Sequence, residues 1–380
     1  MVEKIKQIKN IFYKRFDFVI FIIMVVLLGV GFYTVRQAGL FDVKLKGLFT
    51  KQLLGIAMGL VIIVVMQFID YRIICRFSFI LYIGVLGLLM ATLLFGDDVR
   101  GVKRWMTIAR IQIQPSELAK IALIIFLAFL CNSYKDKLQK FYVFIILAVV
   151  AAIPTLLIII EPHLSSSLAM LVIFGVIIYS SGISYKVIGT VLAVAVPVIA
   201  AILISVTVFN VSLPFIQGYQ INRILSHFTT DKSEDETGKY QQNQALVAIE
   251  AGGLSGKTIS EDSSYRNYSG IYAKESDFIF SIVGEEFGFI GSAVIVLLYL
   301  ILNIRCLIIA AHAPDYMGKL ICIGVSALLT FQVFVNVGVA TDLLPNTGLP
   351  LPFISNGLTS LVSSMIAIGL VLNIGLRRKN

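Results

Sequence analysis

Apolar runs long enough to cross a lipid bilayer recur along almost the whole chain, and they decide what it can fold into. Runs of roughly 17–25 apolar residues are the length a helix needs to span hydrocarbon. They fall near residues 16–35, 52–69, 77–95, 115–132, 141–160, 164–181, 186–208, 278–303, 317–340 and 353–376. Of the 380 residues, 58% are hydrophobic and only 14% charged, a balance that excludes a soluble domain. The expected fold class is therefore all-α: a polytopic membrane protein of about ten transmembrane helices, forming one integral membrane domain over residues 1–380. The first run lacks a small-residue cleavage site after it and reads as a signal anchor.

The charge of +9 is not a nucleic-acid signal. Lys4, Lys6, Lys9, Lys14 and Arg15 crowd one terminus and Arg377, Arg378 and Lys379 the other. Such clusters mark cytoplasmic flanks and favour anionic membrane lipids, and an even number of spans puts both termini in the cytoplasm. Arg72, Arg76, Lys135, Lys137, Lys140, Lys186, Arg305 and Lys319 fall on the same side. The second external loop breaks the rule, because Arg100, Lys103, Arg104 and Arg110 lie in it. Two readings are open: the topology differs there, or these residues handle anions. Cys75, Cys131, Cys306 and Cys322 fall near predicted cytoplasmic ends, with neither a disulfide framework nor metal-ligand spacing.

Residues 209–277 form one large external loop between spans seven and eight, and loops of that length are usually functional or disordered. Its tip is Asp231-Lys232-Ser233-Glu234-Asp235-Glu236, and Gln244 to Gly253 reads as a short amphipathic helix ended by glycine. No internal repeat supports an inverted-repeat transporter.

Several polar residues sit where apolar spans meet loops. Asp277 stands at the entry to the eighth span, with Glu285 and Glu286 inside it, and ionisable groups at membrane depth suggest function. Glu285 and Glu286 read mainly as hydrogen-bonding groups within the bundle. Trp105, the single tryptophan, reads on its own as an interfacial anchor. Pro115 suits a first helical turn, which puts Glu117 near the positive end of the helix dipole and Lys120 on the same face, close enough to pair. That pair is either structural glue or part of a site. Leu349-Pro350-Leu351-Pro352 cannot be regular helix interior; it reads as a cavity rim, with Ser355 and Asn356 offering polar contacts.

Four stretches in order along the chain resemble the SEDS family of shape, elongation, division and sporulation proteins, which includes RodA, FtsW and SpoVE. They are Arg104-Trp105 with Gln114-Pro115-Ser116-Glu117-Leu118-Ala119-Lys120; Asn243 to Leu246 with Gly252 to Lys257; Ser276 to Phe280 with Gly284 to Gly291; and Asn336-Val337-Gly338 with Leu344 to Ser355. The resemblance implies a peptidoglycan glycosyltransferase of a bacterial cytoplasmic membrane. Such an enzyme polymerises lipid II outside the membrane, releases undecaprenyl pyrophosphate and works with a class B penicillin-binding protein. It places the family's essential aspartate on Asp277, its Glu and Lys on Glu117 and Lys120, and its Trp on Trp105. The short N-terminal tail leans to the RodA-like branch.

The residue chemistry suits that reading. A carboxylate at Asp277 can act as general base on an attacking sugar hydroxyl. Arg104 and Lys120, with Arg223, can line a positive site for the departing pyrophosphate. The sequence is silent on a divalent cation bridging Asp277 to the phosphates. Departures from the family pattern cluster on the external side: His163 and Ser165 in Pro162-His163-Leu164-Ser165, then Glu250, Tyr272, Ala273, Glu275, Asp342, Asn356 and Leu358. A flippase for a lipid-linked precursor and a non-catalytic scaffold for a penicillin-binding protein are the competing readings. A flippase needs charge deep in a central cavity, and a scaffold needs none of Asp277, Glu117 and Lys120.

Overall fold

The computed structural model describes residues 15–40, 47–99, 102–108, 111–187, 189–190, 193, 236–258 and 266–378. Its helices are α1 (Phe18–Leu40), α2 (Leu48–Phe68), α3 (Tyr71–Arg76), α4 (Ser78–Phe95), α5 (Pro115–Ser133), α6 (Phe141–Ile160), α7 (Leu164–Ser180), α8 (Glu236–Ala251), α9 (Ile279–Ala311), α10 (Tyr316–Ala340) and α11 (Leu358–Leu376). Among the described residues, eight of them (α1, α2, α4, α5, α6, α9, α10 and α11) are long and apolar enough to cross a membrane, and α7 is a shorter apolar helix. Nine of the ten expected runs thus coincide with helices. The seventh lies almost wholly outside the described residues.

Burial sorts these helices into a centre and a shell. In α11, 89% of the most apolar stretch is buried, against 22% in α2 and in α4. The shell helices turn Val61, Val64, Ile80 and Leu94 outward, as a lipid-facing surface requires. The central helices carry polar side chains inward: Thr359, Ser360, Ser363, Ser364 and Asn373 on α11 are all buried, as is Asn336 on α10. Small residues let α2 approach α11 closely, with Gly55 against Leu361 and Gly369 against Met66.

Long-range hydrogen bonds fix the two ends of the bundle. At one end, the Gln114 amide donates to Thr359 Oγ1 at 3.2 Å and Ser165 donates to the Thr347 carbonyl. At the other, Tyr71 and Arg72 both bond Asp315, Arg377 pairs with Asp70 at 3.2 Å, and Arg305 pairs with Asp17 at 2.5 Å. Asp17 and Arg377, near the two limits of the described chain, therefore share one end, which also gathers the basic residues expected together. The four cysteines are buried and free.

Three features differ from the sequence reading. The loop before α5 carries strands. Strands β1 (Asp97–Val99), β2 (Val102–Ile108) and β3 (Ile111–Ile113) form an antiparallel meander in the order β1-β2-β3, a small departure from an all-helical chain. The last span begins at Leu358 rather than 353, because the proline-rich segment before it stays non-helical. The eighth span is interrupted. At about 1.5 Å per residue, 33 residues would far exceed the hydrocarbon thickness, and the helix breaks at Gly288, whose φ is +66°. The freed backbone is met by the segment after α8. The amides of Lys257 and Thr258 donate to the carbonyls of Glu285 and Glu286 (3.0 and 3.2 Å), and those of Phe289 and Ile290 donate to Gly253 and Leu254 (2.8 and 3.1 Å). Only glycine fits here: a β-carbon on Gly288 would stand 2.4 Å from the Gly256 nitrogen.

Helix α8 realises the amphipathic segment expected at 244–253, extended back to Glu236 and closed by Gly252 and Gly253. The loop tip before Glu236 lies outside the described residues.

Candidate active site

The site is built at the meander end of the bundle. Asp277 lies in a turn just before α9, with its amide and that of Ser276 donating to the Ala273 carbonyl at 3.0 and 3.1 Å. Its side chain is half-buried rather than sealed in the core. Asn336, buried on α10, donates to the Asp277 carbonyl at 2.9 Å and to the Leu349 carbonyl at 2.7 Å. One amide thus joins the acid's turn to the proline-rich segment. That segment is fastened again by Ser355, whose hydroxyl donates to the Ser276 carbonyl at 2.6 Å and accepts from the Leu351 amide at 2.8 Å. The structure thus gives Ser355 a fastening position behind Asp277.

Glu117 and Lys120 form the pair their spacing suggested. They meet at 2.6 Å with both side chains 1% exposed, and Ser363 of α11 stands 3.5 Å from the second carboxylate oxygen. Pro115 occupies the first turn of α5 as expected.

Arg104 and Trp105 are neighbours on β2 and so project to opposite faces of the meander. Trp105 is half-buried and stands opposite Asp97. The Arg104 guanidinium reaches the α6–α7 turn, where Nε donates to the Glu161 carbonyl at 3.2 Å and Nη2 to the Pro162 carbonyl. The basic meander is thereby pinned to the turn that contains His163. His163 is buried, and burial, then the charges of Arg104 and Lys120, hold its imidazole well below the usual range. Arg104, His163 and Lys120 are thus one electrostatic neighbourhood. Thr347, which accepts from Ser165 two residues beyond His163, is followed by Gly348, against which the Asp277 carboxylate lies. Arg223 falls outside the described residues.

Glu161 was not singled out by sequence reasoning. It is 1% exposed, and burial pushes its carboxyl up to about 8 against the opposing charge of Arg104. Its only sequence signal is an acid closing the strongly apolar α6. Glu285 and Glu286 do form hydrogen bonds, but their partners come from the loop. Glu285 holds Lys257 at 2.6 Å and the amides of Asn267 and Tyr268 at 2.8 and 3.0 Å; Glu286 holds Arg266 at 2.9 Å and the Tyr268 hydroxyl at 2.8 Å.

A multi-pass helical bundle with a partly open acid and a buried cationic neighbourhood at one end defines an integral membrane protein with an end-facing polar site. The profile of the FTSW_RODA_SPOVE family of cell cycle proteins matches residues 8–380, and the chain belongs to that family, the SEDS family its motifs resembled. It is 30% identical over 352 residues to the probable peptidoglycan glycosyltransferase FtsW of Geobacter sulfurreducens, covering 92% of this chain and 87% of that one. It is 33% identical over 328 residues to the peptidoglycan glycosyltransferase MrdB of Escherichia coli K12, covering 85% and 84%. Among solved structures, a chain from "Structural coordination of polymerization and crosslinking by a peptidoglycan synthase complex" superposes with a TM-score of 0.77 at 26% identity, covering 96% of this chain and 99% of that one. The rod shape determining protein RodA of Thermus thermophilus shares the fold, with a TM-score of 0.67 at 23% identity over 96% and 98% of the two chains.

Proposed function

We infer that this chain is a peptidoglycan glycosyltransferase that polymerises lipid II into glycan strands on the outer face of a bacterial cytoplasmic membrane, releasing undecaprenyl pyrophosphate. The observation that carries the reading is the position of Asp277 in a chain of this family: a half-buried carboxylate at the end of the bundle opposite the basic, terminus-bearing end. By the positive-inside rule the basic end is cytoplasmic, so Asp277 faces out.

Chain growth requires a sugar hydroxyl to attack an anomeric carbon that carries a lipid diphosphate. Asp277 is the general base that takes the hydroxyl proton as the new glycosidic bond forms. Diphosphate departs with the bonding electron pair, and cations stabilise its developing charge. Arg104, positioned by the Glu161 and Pro162 carbonyls, serves this purpose, with Arg223 as a further cation. Lys120 is neutralised by Glu117, so this pair positions the wall of the site and supplies no net charge. Among the described residues no group of three or more His, Cys, Asp or Glu gathers as a metal site. A divalent cation at Asp277 would therefore draw most of its oxygen ligands from the substrate's phosphates.

The likeness to a chain from a synthase complex that joins polymerization and crosslinking supports a class B penicillin-binding protein as partner. The deciding experiment supplies lipid II to the purified full chain in detergent. Glycan strands from wild type, and none from a folded Asp277→Asn variant, are expected. Translocation in vesicles without polymer would make the chain a flippase, and neither activity would make it a scaffold.

A further inference from the structure

Asp277 sits near the apex of a stretch of backbone that is closed at its base by side chains. One leg is the first part of α9, from Ile279 towards the break at Gly288; the other runs from Arg266 to Ala273. Buried Glu285 joins the two legs. Its Oε1 accepts from the Asn267 amide at 2.8 Å and its Oε2 from the Tyr268 amide at 3.0 Å. Glu286 accepts from the Tyr268 hydroxyl at 2.8 Å and from Arg266 Nε at 2.9 Å, so Tyr268, fully buried, is gripped at both its ends. Glu285 lies six residues after Ile279, which puts this clamp about 9 Å along the helix from the acid's turn.

The grip is passed up the second leg. The Ile271 amide donates to the Tyr268 carbonyl at 3.1 Å, and buried Lys274 donates to the Ser269 carbonyl at 2.8 Å. The leg ends at Ala273, whose carbonyl accepts from the Ser276 and Asp277 amides and whose φ is +55°. Alanine in the left-handed region is strained, and such a residue persists only where its surroundings hold it. Two anchors do so. Asn356, Ser355 and Asn336 hold the carbonyls of Glu275, Ser276 and Asp277 on one side. The clamp on Asn267 and Tyr268 holds the other. With the clamp open, Ala273 relaxes to negative φ and the turn that aims the acid loosens.

We propose that Glu285 is a positioning residue for Asp277, acting through the amides of Asn267 and Tyr268. The proposal rests on the glycosyltransferase reading for what the acid does, and on the backbone alone for the coupling. The position calls for a carboxylate because each of its oxygens accepts from a different backbone amide. Glutamine has one acceptor oxygen, so one of those bonds is lost.

The test measures lipid II turnover and hydrogen exchange on the full chain in detergent. Glu285→Gln should lower kcat about tenfold with KM within about twofold of wild type, because the acid is misaimed while substrate contacts stay. Exchange at the Ser276 and Asp277 amides should rise about tenfold. Adding Ala273→Gly should return kcat to within about threefold of wild type, since glycine adopts the left-handed backbone freely. A merely local fastening would not respond to that second change. Asn267→Pro removes an amide donor and leaves the carboxylate intact. Proline suits this place, the first residue of the short 3₁₀ turn Asn267–Gly270 after an extended Arg266. It should lower kcat about threefold or more, and it decides the matter should Glu285→Gln not fold. Unchanged kcat in a folded Glu285→Gln, a loss confined to KM, or no recovery with Ala273→Gly would overturn the positioning role. A wild type that makes no polymer would sink the polymerase reading, and exchange at Ser276 and Asp277 would then decide the coupling by itself.

Discussion

The carboxylate of Asp277 lies directly against Gly348: a β-carbon at Gly348 would stand 3.1 Å from Oδ2. Gly348 also has φ of +70°, so glycine is required there twice over, by contact and by backbone. Gly348→Ala should cost about 1–2 kcal/mol in backbone strain and push the acid aside. Polymerisation should then fall by about 10- to 100-fold, because small misplacements of catalytic groups are expensive. Thermal unfolding in detergent and a lipid II assay read the two effects separately. Unchanged turnover would mean that Asp277 need not hold this position.

Asn336 ties the turn of Asp277 to Leu349 through one amide group. Asn336→Leu keeps the volume roughly but strands two carbonyls, at about 1–3 kcal/mol each. The expected result is a lower melting temperature together with slower turnover.

Glu117 and Lys120 are sealed together. Lys120→Met should destabilise by about 3–5 kcal/mol, because it strands a buried carboxylate. Adding Glu117→Gln should restore much of that loss. A double variant no more stable than the single one would show that the pair's environment, not its mutual attraction, holds the fold.

Lys257, Asn267 and Tyr268 all bond the Glu285 carboxylate. Glu285→Gln should speed hydrogen exchange at the Asn267 and Tyr268 amides by about tenfold or more, with α11 unaffected. Mass spectrometry of peptides spanning 266–270 measures this. Unaltered protection there would show the loop to be anchored elsewhere.

Glu161 should make stability depend on pH. Its carboxyl is raised to about 8 in the folded chain from about 4.3 when unfolded, so the folded state binds the extra proton. Stability from this group is complete below the lower value and is lost as pH rises towards the upper one. Glu161→Gln should therefore melt close to wild type at pH 4 and above it at pH 8. Equal melting temperatures at both pH values would contradict the buried, unpartnered acid.

The spans and several motifs were legible because their causes are local. Hydrocarbon demands long apolar helices whatever their neighbours, and Pro115, Glu117 and Lys120 act within one or two turns of α5. Gly252 and Gly253 likewise stop α8 where the sequence indicated. The meander was harder to see: its strands are short, and charge masks their alternation. The break at Gly288 has no local signal, because the segment that satisfies the backbone around it lies 28 to 36 positions earlier in the chain.

Sequence by itself determined a helical membrane protein of this family and singled out Asp277 as the candidate acid, because lipid enforces hydrophobic length and the motifs occur in fixed order. Tertiary structure decided what each polar group faces. It turned Ser355 into a fastener, gave Glu285 and Glu286 to the loop, and set Glu161 beside His163 under Arg104. Those outcomes depend on long-range pairing in a medium without water, where a buried charge or hydroxyl must find its partner from whichever helix end the fold brings near.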